Sequence, residues 1–453
     1  MKTYDVIVIG FGKAGKTLAA KLANQGKKVA LIEENKEMYG GTCINIGCIP
    51  TKTLIHAAEK GLSFEEAMLE KDAVVSRLNA KNFDMVDAVV DIYTAHATFL
   101  DDKVIELSGG LDKEKLTSET IIINTGAVSN VLPIEGLTTT KNVYDSTGIQ
   151  KLSKLPKRLG IIGGGNIGLE FASLYAKLGS QVSILEAGDK ILPREENTVS
   201  QLAKKYMEEQ GIVFELGVKI NHLSNNQEDV IVNVSQKDID NKDSDDSQQA
   251  SSRDLVYDAV LYATGRKANI QNLGLENTSI QLTERGAIQV DEFCQTTVPN
   301  VFAVGDVNGG LQFTYVSLDD FRVVWNYLNG NKDYSLKNRK NVPTTIFINP
   351  PLSRVGLTEE QVKELNLPYV TKELPVANMP RGHVNSDLRG VFKAIVNPET
   401  KEILGATLFG AQSSELINLI TMAMDNHIPY TYLAKQLFTH PTMAENLNDL
   451  FSI

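Results

Sequence analysis

Two stretches of this 453-residue chain repeat one another at a fixed distance, and that repeat constrains the fold more than any other feature. VIVIGFGKAG (6–15) is echoed by GIIGGGNIG (160–168), each an apolar, β-branched run meeting G-x-G-x-x-G. The glycines are Gly10, Gly12, Gly15 and then Gly163, Gly165, Gly168, at a constant offset of 153. The same offset links KVALIE (28–33) to QVSILE (181–186), so Glu33 and Glu186 each fall 18 residues past a third glycine. Each unit predicts a strand, a tight turn, a helix starting near Lys13 or Asn166, and a second strand ending in an acid. The first glycine permits the turn, the second lets backbone approach a pyrophosphate, and the third lets helix and strand pack. The helix N-terminus, with Ile167 in the first turn of the second unit, offers unpaired N–H groups to that anion. Glu33 and Glu186 stand where ribose hydroxyls would donate to them. Two dinucleotides are expected, one per unit.

Composition removes whole classes of partner. Forty-five basic against 56 acidic residues give a net charge of −11, leaving no basic surplus to neutralise nucleic-acid phosphates or an anionic membrane. No apolar run approaches the ~18–20 residues needed to span a bilayer. The N-terminal MKTYDVIVIG is apolar only briefly before its Gly turn, unlike a secretory signal, so a cytoplasmic protein of two to four domains is expected.

Three cysteines are too few for a structural framework, yet Cys43 and Cys48 lie five residues apart. In a reducing compartment such a pair serves redox chemistry or metal binding, or consists of two unrelated buried thiols. The C-x4-C spacing lacks the second Cys or His cluster of a zinc site. In a regular helix the two Cα atoms would be ~8.6 Å apart, and a disulfide wants less than ~7 Å. Bridging therefore needs a distorted turn, which Gly47 can supply. Pro50 can open or break a helix, with 53–60 helical. A position near that helix N-terminus, with Lys52 close by, would favour a thiolate. Cys294 reads as a small core residue.

GGTCINIGCIPTK, following a dinucleotide motif, resembles the redox-disulfide segment of the pyridine-nucleotide:disulfide oxidoreductases, a family that includes lipoamide dehydrogenase, glutathione reductase and mercuric reductase. The resemblance runs along essentially the whole chain. IINTGA (122–127) and YATGR (262–266) match its two threonine-glycine turns, VFAVGD (301–306) its second flavin motif, and HPTMAE (440–445) its C-terminal catalytic motif. Within the family, GFGKAGKTLA, MYGGTCINIGCIPTKTL, GGLQFTYVSLDD and PPLSRVGLTEEQ resemble the bacterial reactive-chlorine-resistance flavoproteins, a group of hypothiocyanous acid reductases.

The resemblance implies an α/β chain with two Rossmann-like domains, for FAD and NAD(P)H, and a C-terminal α+β dimerisation domain. The FAD-binding domain would cover 1–148 and 267–340, the NAD(P)H-binding domain 149–266, and the dimerisation domain 341–453. Gly10, Gly12, Gly15, Glu33, Gly41, Thr42, Lys52, Thr125, Gly126, Gly265 and Asp306 would hold FAD. Gly163, Gly165, Ile167, Gly168 and Glu186 would hold the nicotinamide cofactor. Cys48 resembles the charge-transfer thiolate and Cys43 the interchange thiol that attacks substrate. Lys52 and Glu170 match a pair near the flavin–nicotinamide contact. His440, oriented by Glu445, resembles the acid/base that serves Cys43 of the other subunit of a homodimer. Glu186 favours a free 2′-hydroxyl, hence NADH over NADPH, although Lys190 and Arg194 are near in sequence.

Departures narrow the substrate. The ending NDLFSI lacks the cysteine pair of mercuric reductases. Phe438 replaces a His usual in lipoamide dehydrogenases, and the arginines glutathione reductases use for a 2′-phosphate are missing. Phe313 and Tyr315 either narrow the thiol pocket for a small oxidant or pack in the core. The expectation is a flavin-dependent reductase of hypothiocyanous acid. The alternatives are a small-disulfide reductase such as dihydrolipoamide dehydrogenase, a Cu(II) or Hg(II) reductase, and a non-catalytic redox or metal sensor. The acidic stretch 236–254 reads as a solvated hairpin loop or flexible excursion. His56, His96, His222, His383 and His427 read as structural, with His383 the one candidate for the substrate mouth.

Overall fold

The computed structural model describes residues 1–109, 113–236 and 251–453. The helices that position the site are α1 (Lys13–Asn24), α2 (Thr42–Asn45), α3 (Cys48–Glu59), α4 (Phe64–Asp87), α5 (Asn166–Lys177), α6 (Asn197–Glu209) and α7 (Thr314–Leu328). The chain divides into two compact units. One comprises Met1–Val131, Asp145–Lys154 and Thr264–Asn338, and the other Leu132–Tyr144, Leu155–Ala263 and Arg339–Ile453.

In the first unit five parallel strands stand in the order Val301–Ala303, Thr120–Ile123, Val6–Ile9, Val29–Glu33, Asp91–Thr94. The runs at 6–9 and 121–123 are apolar without a break because both faces of the sheet are covered. Ile7 and Ile9 join Phe99, Ile121 and Ile123 on one face, while Val6 and Val8 meet Leu18, Leu22 and Phe302 on the other. The chain runs outward from 6–9, then returns to pair at 120–123 on the opposite side. That reversal opens a switch point at the carboxyl ends of those two strands, where parallel sheets bind ligands. The turn at 10–15 forms one lip and 124–126 the other.

The second unit repeats the arrangement. Its parallel strands stand in the order Val143–Tyr144, Ala259–Tyr262, Arg158–Ile162, Gln181–Glu186, Val213–Leu216. The internal repeat of the sequence thus returns as a repeat of strand order, as the expected α/β class requires. A three-stranded antiparallel sheet (Val218–Asn226, Asp229–Gln236, Ser252–Tyr257) follows. It corrects the extent of the polar loop: Gln236 pairs with Val218, and 252–254 pair with 233–235. Residues 237–250 lie outside the described residues. The C-terminal part is α+β, a five-stranded antiparallel sheet with helix Ser413–Asp425 packed on it around Phe392, Leu408, Ile417, Ile420 and Phe451. Among the described residues no helix is long and apolar enough to cross a membrane.

Lys393 fastens this C-terminal sheet to the segment leading into α6. Its amine, 7% exposed, lies 2.6 Å from Glu196 Oε2 and 2.7 Å from Glu359 Oε2. Removing one partner of a buried pair strands the other charges, so Lys393→Met is expected to cost about 3 kcal/mol, read by thermal or denaturant unfolding. The hydrogen bond from Lys393, seconded by Lys363, holds the Glu359 carboxyl at about 2. An unfolded Glu titrates near ~4.3. This contribution is therefore complete above that pH and is lost as pH falls toward 2. The acid-side decline in Tm should be shallower in Lys393→Met than in the parent chain.

Candidate active site

The first glycine turn is built around Asn124. This buried amide accepts from Gly15 N through Oδ1 (2.9 Å) and donates through Nδ2 to the Val304 carbonyl (2.6 Å). A Cβ on Gly12 would stand 2.4 Å from Asn124 Oδ1, and one on Gly10 2.4 Å from the Asn124 carbonyl oxygen. Those two glycines are needed by the protein's own packing. Gly10, at φ +100°, also needs a conformation that L-residues avoid. Glu33 closes its strand with Oε2 accepting from Phe11 N (3.0 Å) and Oε1 from Asn35 N (3.2 Å). Burial raises this carboxyl, and the backbone N–H groups oppose the rise.

The second turn matches the first in its acid and differs at its mouth. Glu186 accepts from Gly164 N and from Gly188 N, both at 2.7 Å. A Cβ on Gly165, by contrast, would meet nothing within 4 Å. Helices α1 and α5 follow Gly12 and Gly165, N-cap residues with no side chain to cap them; in α1 Asn124 takes the Gly15 N–H. Uncapped N–H groups beside an open glycine suit the phosphates of a dinucleotide. A carboxylate has about four acceptor sites, so each acid retains capacity for ribose hydroxyls.

Around the first turn the structure gathers other expected residues. Thr125 Oγ1 donates to the Asn269 carbonyl (2.7 Å), and Asn269 N donates to the Gly126 carbonyl (2.9 Å). The Gly265 carbonyl accepts from Asn130 N at 2.9 Å. Thr42 Oγ1 lies 3.9 Å from where a Gly126 side chain would begin, and Gly41 (φ +79°) passes within 2.7 Å of the Gly12 Cα by the same measure. Asp306 lies in the turn Gly305–Asn308, its carboxyl raised by burial and drawn back by Arg266. Asp320 holds this turn by accepting from Gly305 N (2.7 Å) and Asn308 Nδ2 (3.2 Å).

The cysteines stand on two separate elements. Cys43 is in the four-residue α2, the chain breaks at Ile46 and Gly47, and Cys48 opens α3. The helix thus starts five residues before the expected 53, with Pro50 in its first turn, where proline's missing N–H costs nothing. Both cysteines are thiols. The thiol–thiol hydrogen bond to Cys48, then burial, pushes Cys43 well above its usual value, while Thr314 and Lys16 draw it down. Besides the Lys52 expected from sequence, Lys16 is a cation that favours the Cys43 thiolate. Lys52 follows Cys48 by one turn of α3 and shares its face.

Helix α7 brings its first residues to this pair. Thr314 Oγ1 lies 3.6 Å from Cys48 Sγ. Phe313 and Tyr315 stack on each other, centroids 5.2 Å apart and planes within 8°. Tyr315 is exposed and Phe313 half-buried, so these rings flank the dithiol instead of filling the core. Although Tyr315 is 44% exposed, the packing around its phenol, and then the neighbouring Cys48, raise it. Cys294 is fully buried, as expected.

In the second unit, His440 Nδ1 donates to Glu445 Oε2 at 2.7 Å, and Glu445 Oε1 accepts from Thr442 N at 3.1 Å. With both oxygens engaged, the carboxylate fixes the ring and sets the tautomer that leaves Nε2 as the proton acceptor. The His440 side chain is 69% exposed. His383 Nε2 meets the Ala377 carbonyl (3.0 Å), while neighbouring Arg381 Nη1 reaches the Pro441 carbonyl (3.4 Å). Glu170, buried on α5, accepts from Phe347 N at 3.0 Å.

Comparisons with known proteins agree with this geometry. Residues 4–320 match the family model described as pyridine nucleotide-disulphide oxidoreductase, and residues 342–451 match that family's dimerisation domain. The chain belongs to the pyridine nucleotide-disulphide oxidoreductases. It is therefore an oxidoreductase acting on sulfur groups, of a family that works with FAD and NAD(P)H, and it carries the domain through which such chains form homodimers.

Among its relatives is the probable pyridine nucleotide-disulfide oxidoreductase RclA of Escherichia coli (strain K12), 46% identical over 457 residues and covering all of both chains. A solved Cu(II) complex of the HOCl-induced flavoprotein disulfide reductase RclA of Escherichia coli, a C43S mutant, matches with a TM-score of 0.94, 45% identity and full coverage of both chains. A mercuric reductase of Staphylococcus aureus is 30% identical, covering 98% of this chain and 81% of that protein.

Asn124, Asp320, Thr314 and Lys16 were not among the residues read from sequence as site residues. Only Asn124 carried a signal, a polar residue directly after a buried apolar run. Asn124→Ala leaves Gly15 N and the Val304 carbonyl unsatisfied at about 1–3 kcal/mol each. Expected are a lowered Tm and a faster loss of bound FAD on dilution, followed by calorimetry and flavin fluorescence.

Proposed function

We propose that this chain is a flavin-dependent reductase that carries electrons from a pyridine nucleotide to the Cys43–Cys48 pair and on to a small electrophilic oxidant, hypothiocyanous acid. The observation that supports the reading is the stacked Phe313–Tyr315 pair on either side of Thr314, whose hydroxyl lies 3.6 Å from Cys48 Sγ; we read these rings as narrowing the approach to the dithiol in favour of a small electrophile. The HOCl-induced character of the Escherichia coli relative supports the same assignment. We assign FAD binding to 1–148 and 267–340, NAD(P)H binding to 149–266 and dimerisation to 341–453. A pair that must return to the dithiol after each turnover belongs in the cytoplasm.

The glycine turns would hold the phosphates, Glu33 and Glu186 the ribose hydroxyls, and Gly41, Thr42, Lys52, Thr125, Gly126, Gly265 and Asp306 the flavin portion. FAD, when bound, supplies a two-electron relay between the nicotinamide and the cysteines. Lys52 and Glu170 belong near that relay. Cys43 gives its proton to Nε2 of His440 of the partner subunit and as thiolate attacks the sulfur of HO–SCN, forming a Cys43–S–SCN bond. The O–S bond breaks, and the departing hydroxide takes the proton back from the partner's His440 to leave as water. Cys48, the other sulfur of a pair that held one proton, is left as thiolate. Cys48 then attacks Cys43 sulfur, closing the disulfide and expelling thiocyanate. Glu445 keeps the imidazole oriented for this proton transfer.

The test is steady-state NADH and NADPH oxidation by FAD-loaded protein given hypothiocyanous acid, oxidised glutathione, lipoamide or Cu(II). Hypothiocyanous acid should be preferred by orders of magnitude. Cys43→Ser should abolish that turnover while leaving flavin reduction by NADH intact. Faster turnover of lipoamide or of Cu(II), the ion in the relative's complex, would replace hypothiocyanous acid as substrate.

NADH is the expected donor, because the Glu186 carboxylate would repel a 2′-phosphate and the Lys190 amine is taken up by Asn197 Oδ1 at 2.8 Å. Glu186→Ser should lower the NADH/NADPH ratio of kcat/KM by about tenfold, roughly 1.4 kcal/mol. An unchanged ratio would count against the assignment.

A further inference from the structure

Buried lysines are rare unless they are paired. Lys71 meets Asp72 at 2.6 Å, and Lys393 meets Glu196 and Glu359. Lys16 is different. It sits on α1 directly after Gly15 and is only 5% exposed. Among the described residues its amine meets neutral oxygens, the Gly40 carbonyl at 3.4 Å and Asn82 Oδ1. Asn82, on α4 and itself buried, donates its amide nitrogen to the Leu78 carbonyl at 2.7 Å, which turns Oδ1 toward Lys16. Gly40, at φ +100°, begins the turn leading to Cys43. The amine therefore lies beneath the cysteine segment, in a low-dielectric setting, without a carboxylate to neutralise it.

Two charged or titratable groups act on Lys16. Lys13, on its own helix, disfavours its charge, and Cys43, on α2, favours it. Burial comes first among the causes and, with Lys13, brings the amine down to about 8. The other elements present the Cys48 thiol and, one turn on, Lys52 from α3, the neutral Asn82 from α4 against Lys16, the Thr314 hydroxyl from α7 against both thiols, and the Tyr315 phenol from α7 against Cys48.

We propose that Lys16 is a positioning residue of the redox pair, its buried ammonium serving as the built-in counter-cation of the Cys43 thiolate. Reductive opening of the Cys43–Cys48 bond takes up two electrons from the pyridine nucleotide and one proton from solvent, leaving one thiol and one thiolate. Lys16 donates to the Gly40 carbonyl, three residues before Cys43, so it weights the shared negative charge toward the sulfur that attacks substrate. Coulomb attraction is strong at such a site because water does not screen it. The inference rests on the reading of Cys43–Cys48 as the redox pair.

The test is the pH dependence of iodoacetamide alkylation of Cys43 in NADH-reduced, FAD-loaded enzyme, read by peptide mass between about pH 5 and 10. Lys16→Gln removes the cation, and Asn82→Asp pairs it with a carboxylate. Each should move the midpoint up by about 0.5 unit or more, roughly a threefold slower alkylation below the midpoint. Flavin reduction by NADH should keep its rate. Lys16→Arg, which keeps the charge, should restore the parent midpoint. Should Lys16→Gln fail to retain FAD, Asn82→Asp decides, since it leaves Lys16 in place. A midpoint unmoved by these variants, with Cys43 still labelled only after NADH, overturns the role of Lys16 alone. Labelling of Cys43 that ignores NADH overturns the redox-pair reading beneath it.

Discussion

Asn124 ties three segments of the first unit at a single point. Its side chain holds the start of α1 through Gly15 and the end of strand Val301–Ala303 through the Val304 carbonyl, while its own N–H bonds to Ile9. The carboxyl ends of three neighbouring strands are thereby pinned together where the parallel sheet reverses direction. The glycine turn, the Thr125–Gly126 bend and the Asp306 turn all take their places from this pin. The second unit has no such residue: Ala263, whose N–H bonds to Ile162, stands in the corresponding place. There Glu186 does the fastening, through Gly164 and Gly188, and the space at Gly165 stays open. One sequence motif thus gives two glycine turns fastened differently, one by a buried amide and the other by a half-buried carboxylate.

The chemistry of the thiol pair depends on how its surroundings treat negative charge. The mutual hydrogen bond and burial favour neutral thiols, whereas the Thr314 hydroxyl and the Lys16 amine favour the thiolate. Which of these influences prevails sets the reactivity of the pair, since reactivity follows thiolate character. The His440–Glu445 pair has the complementary property: an exposed imidazole whose tautomer is set by a carboxylate with both oxygens engaged.

Much of this was legible in the sequence because it is local. The glycine spacing, the apolar runs, the helix starts at Lys13 and Asn166 and the acids at strand ends all follow from short-range steric and hydrogen-bonding rules. The same holds for the buried Cys294 and for the resemblance carried by the 40–52 segment. What escaped depends on partners distant in the chain. Lys16 acquires its setting from Gly40 and Asn82, Thr314 from a cysteine 266 residues earlier, and Asn124 from Val304. The start of α3 was misjudged because Pro50 can end or open a helix with equal ease, and only packing against α4 decides. The polar stretch after Gln236 was drawn too wide because strand residues facing solvent have the composition of a loop.

The break at Ile46 and Gly47 has a mechanical consequence. Cys43 rides on a four-residue turn that has its own ties: Asn45 Nδ2 to the Tyr39 and Gly41 carbonyls, and Asn79 Nδ2 to Asn45 Oδ1. Cys48 rides on the first turn of a twelve-residue rod packed on α4. A bond between the two sulfurs therefore joins a small tethered piece to a long anchored one and asks no continuous helix to bend. Making and breaking it can be absorbed by two linking residues, like a clasp on a hinge. The sheet and its glycine turn need not change shape for the two sulfurs to join or part.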